Sequence, residues 1–164
     1  MCRYVIAAIT VLALPAIAEE AVITGNVESK CVINTDVNGV YGNPTAGTLS
    51  TLPADGGVFP IIRYDVALGS SYTAKITAPN TFSTSPTLSD NVQWTSAVEV
   101  NEVSDAAMSD YETDKVVYEH TTEFDMTEAG STWFKVTSKA EYGFGRVYPA
   151  GLYRSIVLAE CIAQ

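Results

Sequence analysis

Histidine is almost absent from the 164 residues of this chain, with His120 the single example. One imidazole cannot build a multi-histidine metal site, and no second histidine is available as a base for a serine nucleophile. No serine sits in a nucleophile-elbow context, and neither a phosphate loop nor a dinucleotide fingerprint is present. The residues give no support for an enzyme. Basic side chains are also scarce: nine Lys and Arg stand against nineteen Asp and Glu, for a net charge of −10. Nucleic acid as a partner needs a basic footprint that this chain lacks, and an anionic membrane surface is disfavoured on the same ground.

A long apolar run occurs only at the start, in "MCRYVIAAITVLALPAIAEE". Arg3, the apolar stretch Tyr4 to Leu14 and the small-x-small pattern Ala16-Ile17-Ala18 predict a secretory signal over residues 1–18, cleaved after Ala18. The stretch is too short to cross a bilayer, which takes roughly 20 apolar residues, and no later segment is long enough. Cys2 leaves with the signal and is not at the cleavage point, so no lipid anchor is expected. Residues 19–164 are expected to form one exported domain, within the usual span of about 100 to 200 residues. Its acidic, Thr- and Ser-rich composition suits solubility outside the cell.

Cysteine is rare too, and only Cys31 and Cys161 remain after export. An even count in an oxidising compartment predicts a disulfide. It would tie the first strand of the domain to the last.

What the chain has in quantity is strand pattern. "SYTAKITAP" places Tyr72, Ala74, Ile76 and Ala78 on one side against Thr73, Lys75 and Thr77. "IIRYDVAL" does the same with Ile62, Tyr64, Val66 and Leu68, and the intervening "LGSS" predicts a hairpin between the two. "TWFKVTSKAEY" sets Phe134, Val136, Ala140 and Tyr142 against Lys135, Thr137, Lys139 and Glu141. "KVVYEHTTEFDM" is expected as the strand before it, carrying His120, with "TEAGS" as the turn. Two further strands are placed at "NVQWTS" and "VEVNEV", and the domain opens and closes on strands in "AVITGNVESKCVIN" and "GLYRSIVLAEC". About eight strands with Gly, Pro, Asn and Asp between them predict an all-β sandwich or barrel. "SDAAMSDYETD" is expected to hold a helical turn or two, capped by Ser104 or Asp105. Asn38 to Gly57 reads as a long turn-rich loop with room for a short edge strand.

Two binding chemistries follow from composition. Asp105, Asp110, Glu112 and Asp114 crowd one acidic stretch, and Asp36 and Asn38 precede Gly39; oxygen-rich loops of this kind hold calcium, although neither matches an EF-hand. Trp94 and Trp133, with nine tyrosines, admit stacking on sugar rings, against the ordinary reading of aromatics as core. A self-contained secreted module for calcium or carbohydrate is thus one functional expectation.

The two ends supply another. "VITGNVESKCVIN", Val22 to Asn34, resembles the first strand of chaperone-usher pilin subunits, a small-residue and valine pattern running into a cysteine followed by more strand. "YPAGLYRSIVLAEC" resembles their last strand, in which Pro-Ala-Gly-x-Tyr, here Pro149 to Tyr153, opens a terminal strand with aliphatics such as Val157. The chain is similar also to secreted domains of the spore-coat-U type. The resemblance implies an immunoglobulin-like antiparallel sandwich lacking one strand, completed by the N-terminal segment of a neighbour. It further implies a structural subunit of a fimbria-like or surface filament, without cofactor. Its partners would be like or related subunits and a periplasmic chaperone, and it would reside in the periplasm or at the cell surface. Val22, Ile23 and Val27 are expected to make the subunit contacts, and head-to-tail contacts of this type give filaments because they do not close.

Overall fold

Alternation of apolar and polar side chains at every second position builds two antiparallel sheets whose apolar faces meet. The structure, a computed structural model, describes residues 23–143 and 145–164. The expected signal segment and Val22 lie outside the described residues.

Ten strands are present among the described residues where about eight were expected: β1 Lys30–Val37, β2 Gly42–Thr45, β3 Thr48–Ser50, β4 Ile61–Ala67, β5 Tyr72–Thr77, β6 Val92–Val103, β7 Val116–Tyr118, β8 Thr121–Met126, β9 Gly130–Tyr142 and β10 Leu158–Ala163. One sheet runs β1-β4-β9-β3-β2, with β6 along the other side of β9; the second runs β10-β5-β8-β7. The two stretches expected around Trp94 and Val98 are one strand, β6. Conversely, "KVVYEHTTEFDM" is broken at Glu119 and His120, where Glu119 has φ 52°, so His120 lies in a turn between β7 and β8 rather than within a strand.

The turn-rich loop contains the β2–β3 hairpin and a short 3-10 turn at Pro53–Asp55. Its glycines serve close approach: a Cβ on Gly42 would come within 2.2 Å of the Asp55 carbonyl oxygen, and one on Gly57 within 2.2 Å of that of Ser50. The acidic stretch forms the expected turns, a 3-10 turn at Ala106–Met108 capped by Asp105 and one α-helical turn, α1, at Tyr111–Asp114.

β4 and β5 do not form the expected hairpin. β4 pairs with β1 and β9, whereas β5 pairs with β10 and β8 in the opposite sheet. The short 68–71 link carries the chain across the sandwich, and Leu68, expected on the buried face, is exposed because β4 ends at Ala67. Crossing lets each buried face look at the other: the fully buried Tyr64 of β4 donates its hydroxyl to the Glu160 carbonyl of β10 at 3.1 Å. Phe124 of β8 meets Phe134 of β9 with ring centroids 4.4 Å apart, and Ile62, Val66, Ala74, Ile76, Val98, Met126 and Val136 fill the space around them.

Cys31 of β1 and Cys161 of β10 are disulfide-bonded, with Cα atoms 6.4 Å apart. The bond joins the edge strand of one sheet to that of the other, and so closes one lateral side of the sandwich at one end.

Candidate functional site

From the disulfide, β1 and β10 diverge. β10 is antiparallel to β5 and β1 to β4, and the 68–71 crossover sets the N-terminus of β1 and the C-terminus of β10 at the same end. At the other end the stretch before β10, residues 151–157, and the stretch after β1, residues 38–41, form the walls of a groove of about 680 Å³. Val136, Ser138, Leu49 and Thr51 line it from the first sheet, and Pro60 and Pro79 lie at its mouth.

The wall formed by residues 151–157 is held by aromatic packing. Phe82 touches Trp94, Tyr153, Tyr148 and Tyr41 at centroid distances of 4.8, 5.1, 6.1 and 6.3 Å, and Tyr148 stacks on Tyr142 at 5.1 Å. The Tyr153 hydroxyl donates to the Pro149 carbonyl at 2.7 Å, which folds the Pro-Ala-Gly turn back on itself. Burial pushes the Tyr148 phenol above its ordinary range, and its hydroxyl has no hydrogen-bond partner among the described residues. Tyr41 links the walls, its hydroxyl 2.6 Å from Ser155 Oγ and 3.2 Å from Ser138 Oγ.

Two features of the 151–163 stretch matter for binding. First, the Arg154 N–H bonds to the Thr84 carbonyl and the Gln164 N–H to the Ser71 carbonyl, so even-numbered residues turn their backbone groups toward the β5 side. Odd-numbered residues then point theirs away from the sheet, and no backbone partner for Ser155, Ile156 or Val157 occurs among the described residues. Second, Tyr153, Val157, Ala159 and Cys161 turn inward, while Leu152, Ile156, Leu158 and Ile162 stand 63, 56, 59 and 44% exposed in one row with Arg154 and Glu160. The result is an edge with free backbone groups beside an apolar stripe.

The expected first strand is shorter than its sequence pattern. β1 begins at Lys30, and residues 23–29 have no regular secondary structure, are exposed and have no backbone partner among the described residues. Of the expected contact residues, Ile23 is 97% and Val27 79% exposed. They share one side of an extended chain with Gly25 between them. The segment is anchored at its base, where Ser29 Oγ lies 2.8 Å from the Tyr72 hydroxyl.

The acidic candidates are not gathered into one site. Asp105 accepts from the Ala107 N–H, Asp110 from the Ser109 hydroxyl and Glu112 from the Val100 N–H; Asp114 faces solvent. Asp36 joins the outer face of the first sheet, where it binds Arg63 at 3.1 Å and Trp133 Nε1 at 2.8 Å. No group of three His, Cys, Asp or Glu side chains placed to hold a metal ion occurs among the described residues. The two tryptophans lie on opposite sides of the sheet, Trp94 with the inward aromatics and Trp133 outward, under Arg63 at 6.0 Å. They do not form a shared stacking face.

Sequence pattern marked the tail and the closing strand but not the groove, which is built by irregular segments such as Asn38–Tyr41 that carry no periodicity. No helix among the described residues is long and apolar enough to cross a membrane. The chain matches no family model, no curated protein and no solved structure.

Proposed function

We propose that the chain is an exported structural subunit that assembles head to tail by β-strand addition. The segment around Val22 to Ser29 of one copy enters the groove of the next and pairs with the free edge at Ser155–Val157. The observation that carries this reading is the presence, on one domain, of an exposed segment bearing Ile23 and Val27 and an open groove flanked by backbone, both without backbone partners among the described residues. Strand addition supplies main-chain hydrogen bonds for affinity and pockets for alternate side chains for specificity. Ile23 and Val27 have that alternate spacing, and Val40 and Val157 offer apolar groove surface. Since donor and acceptor are different surfaces, the contact does not close and propagates a filament.

The disulfide fits an oxidising compartment such as the periplasm or the cell exterior. A subunit with an open groove and an exposed tail needs a partner before assembly, which is the role of a periplasmic chaperone in this reading. No catalytic group is required.

Deletion of residues 19–28 tests it. The truncated protein should melt cooperatively yet fail to form filaments, and a synthetic peptide spanning Val22 to Ser29 should raise its melting temperature. Filaments that persist after the deletion overturn the donor role.

A further inference from the structure

We infer that the free edge around Val157 also docks on itself, giving a two-fold symmetric dimer in which the 152–162 stretches of two copies pair antiparallel. The inference rests on the edge strand and does not depend on the tail. Odd-numbered residues present the free N–H and C=O groups, so a two-fold ladder must match odd with odd. Centred on Val157, it places Val157 opposite its own copy and Ser155 opposite Ala159.

The side chains of the exposed row then fall into complementary pairs. Ile156 meets Leu158, Leu152 meets Ile162, and Arg154 meets Glu160, each twice by symmetry. These are the non-hydrogen-bonded positions of the ladder, where side chains approach most closely. A ladder centred two residues later would set Leu158 against Glu160; one centred two residues earlier would set Arg154 against Ile156. Of these registers only the Val157-centred one joins the opposite charges and buries the aliphatics together. Within a single copy Arg154 has no carboxylate partner among the described residues, and Glu160 has only Lys75 at 3.7 Å. Residues 38–41 reach this stretch through the Tyr41 hydroxyl at Ser155 Oγ and not through its backbone, so among the described residues the outward N–H and C=O groups stay open to a second strand.

The dimer uses the edge that an incoming donor strand would use, so the two contacts exclude each other. Closed pairing of acceptor edges holds subunits out of the open chain.

The test is a register-specific cross-link in the secreted chain with its native disulfide. Val157→Cys should give a covalent dimer under mild oxidation, because residues directly opposite in a ladder lie about 5.5 Å apart at Cα, within disulfide reach. Ala159→Cys, displaced from its own copy by four residue steps, should dimerise without forming the covalent link. By sedimentation, Arg154→Glu and Glu160→Arg should each weaken dimerisation roughly tenfold through two like-charge contacts, and the double exchange should restore it. Melting curves of each variant check that the fold is kept. A protein that remains monomeric at high micromolar concentration, a cross-link at Ala159 in place of Val157, or a double exchange without recovery each overturns the proposal. Deletion of residues 19–28 should leave the cross-link intact; its loss would assign the contact to the tail and count against edge pairing.

Discussion

The Glu112 carboxylate accepts the backbone N–H of Val100 at 2.7 Å, on the side of β6 that faces away from β9. Lys115, ion-paired with Glu112, donates to the Val98 carbonyl two residues earlier at 3.1 Å. A β6 edge that would otherwise offer a template to another strand is thus occupied by the side chains of Glu112 in α1 and Lys115 just after it. Among the described residues no side chain covers the outward backbone groups of Ser155–Val157 before β10 in this way, which leaves that edge open for pairing.

Glu112→Ala should remove the acceptor for Val100 and leave Lys115 without its counter-charge. Hydrogen bonds to charged groups are worth about 1.5–3 kcal/mol, and partial exposure of Glu112 brings the loss below that range, to about 1 kcal/mol. Urea denaturation should show that loss, and light scattering should show self-association through the uncovered edge. Glu112→Gln keeps an acceptor for Val100 and should recover most of the stability. Equal destabilisation by both changes would point to the ion pair rather than the edge contact.

Replacing Cys31 and Cys161 by serine should cost much more. The bond spans 130 residues, for which loop-entropy models give about 4–5 kcal/mol through restriction of the unfolded chain. A lower denaturation midpoint with a largely unchanged unfolding rate is the expected pattern. Faster unfolding at unchanged refolding would place the effect in the native state, where the bond pins the two edge strands.

Tyr64 links pH to stability. Burial, reinforced by the nearby Glu160 charge, pushes its phenol well above the ordinary value of 10.0. The folded chain therefore holds it neutral while the unfolded chain ionises from about pH 10. Its contribution is fully present below that pH and is lost as the pH climbs toward the raised folded value. Tyr148, also raised by burial, adds to the same alkaline slope. Tyr64→Phe should flatten the fall in stability above pH 10 while lowering stability at neutral pH through the lost bond to Glu160. An alkaline transition identical in wild type and Tyr64→Phe would remove Tyr64 as its cause.

Much of this architecture is legible in residue order. Tyr72, Ala74, Ile76 and Ala78 alternate without a fault and are all buried; the same holds for Phe134, Val136, Ala140 and Tyr142. Asp105 caps its turn as its type suggests, and Cys31 and Cys161 pair as their even count suggests. Partnership between strands is what alternation cannot encode. Ile62, Tyr64 and Val66 bury the same face whether β5 lies beside them or across the core, so "LGSS" looks like a hairpin turn although it is a crossover. The closing strand carries no clean alternation to read: its larger aliphatics, Leu152, Ile156, Leu158 and Ile162, share the outward face with Arg154 and Glu160, and the smaller Val157, Ala159 and Cys161 face the core. Side-chain size alone does not assign the buried face of an edge strand. The groove was unreadable because its walls are irregular and meet through tertiary contacts of Phe82 and Tyr41.

Tyr41 offers access to that groove. Its hydroxyl lies within hydrogen-bond distance of Ser155 on one wall and Ser138 at the base, and no other side chain among the described residues joins those two serines. Tyr41→Phe keeps the ring against Phe82 and removes the link, at a cost of about 1 kcal/mol. The Arg154 amide, bonded to the Thr84 carbonyl in the same wall, should then exchange with solvent faster, while amides in β9 stay unchanged. The same variant, with its tail deleted, should take up the Val22 to Ser29 peptide more quickly, because the groove opens without breaking the Tyr41 contacts. Unaltered exchange at Arg154 would mean that the aromatic cluster alone holds the wall. Faster exchange without faster peptide uptake would separate opening of the groove from strand entry and place the slow step in ordering of the peptide itself.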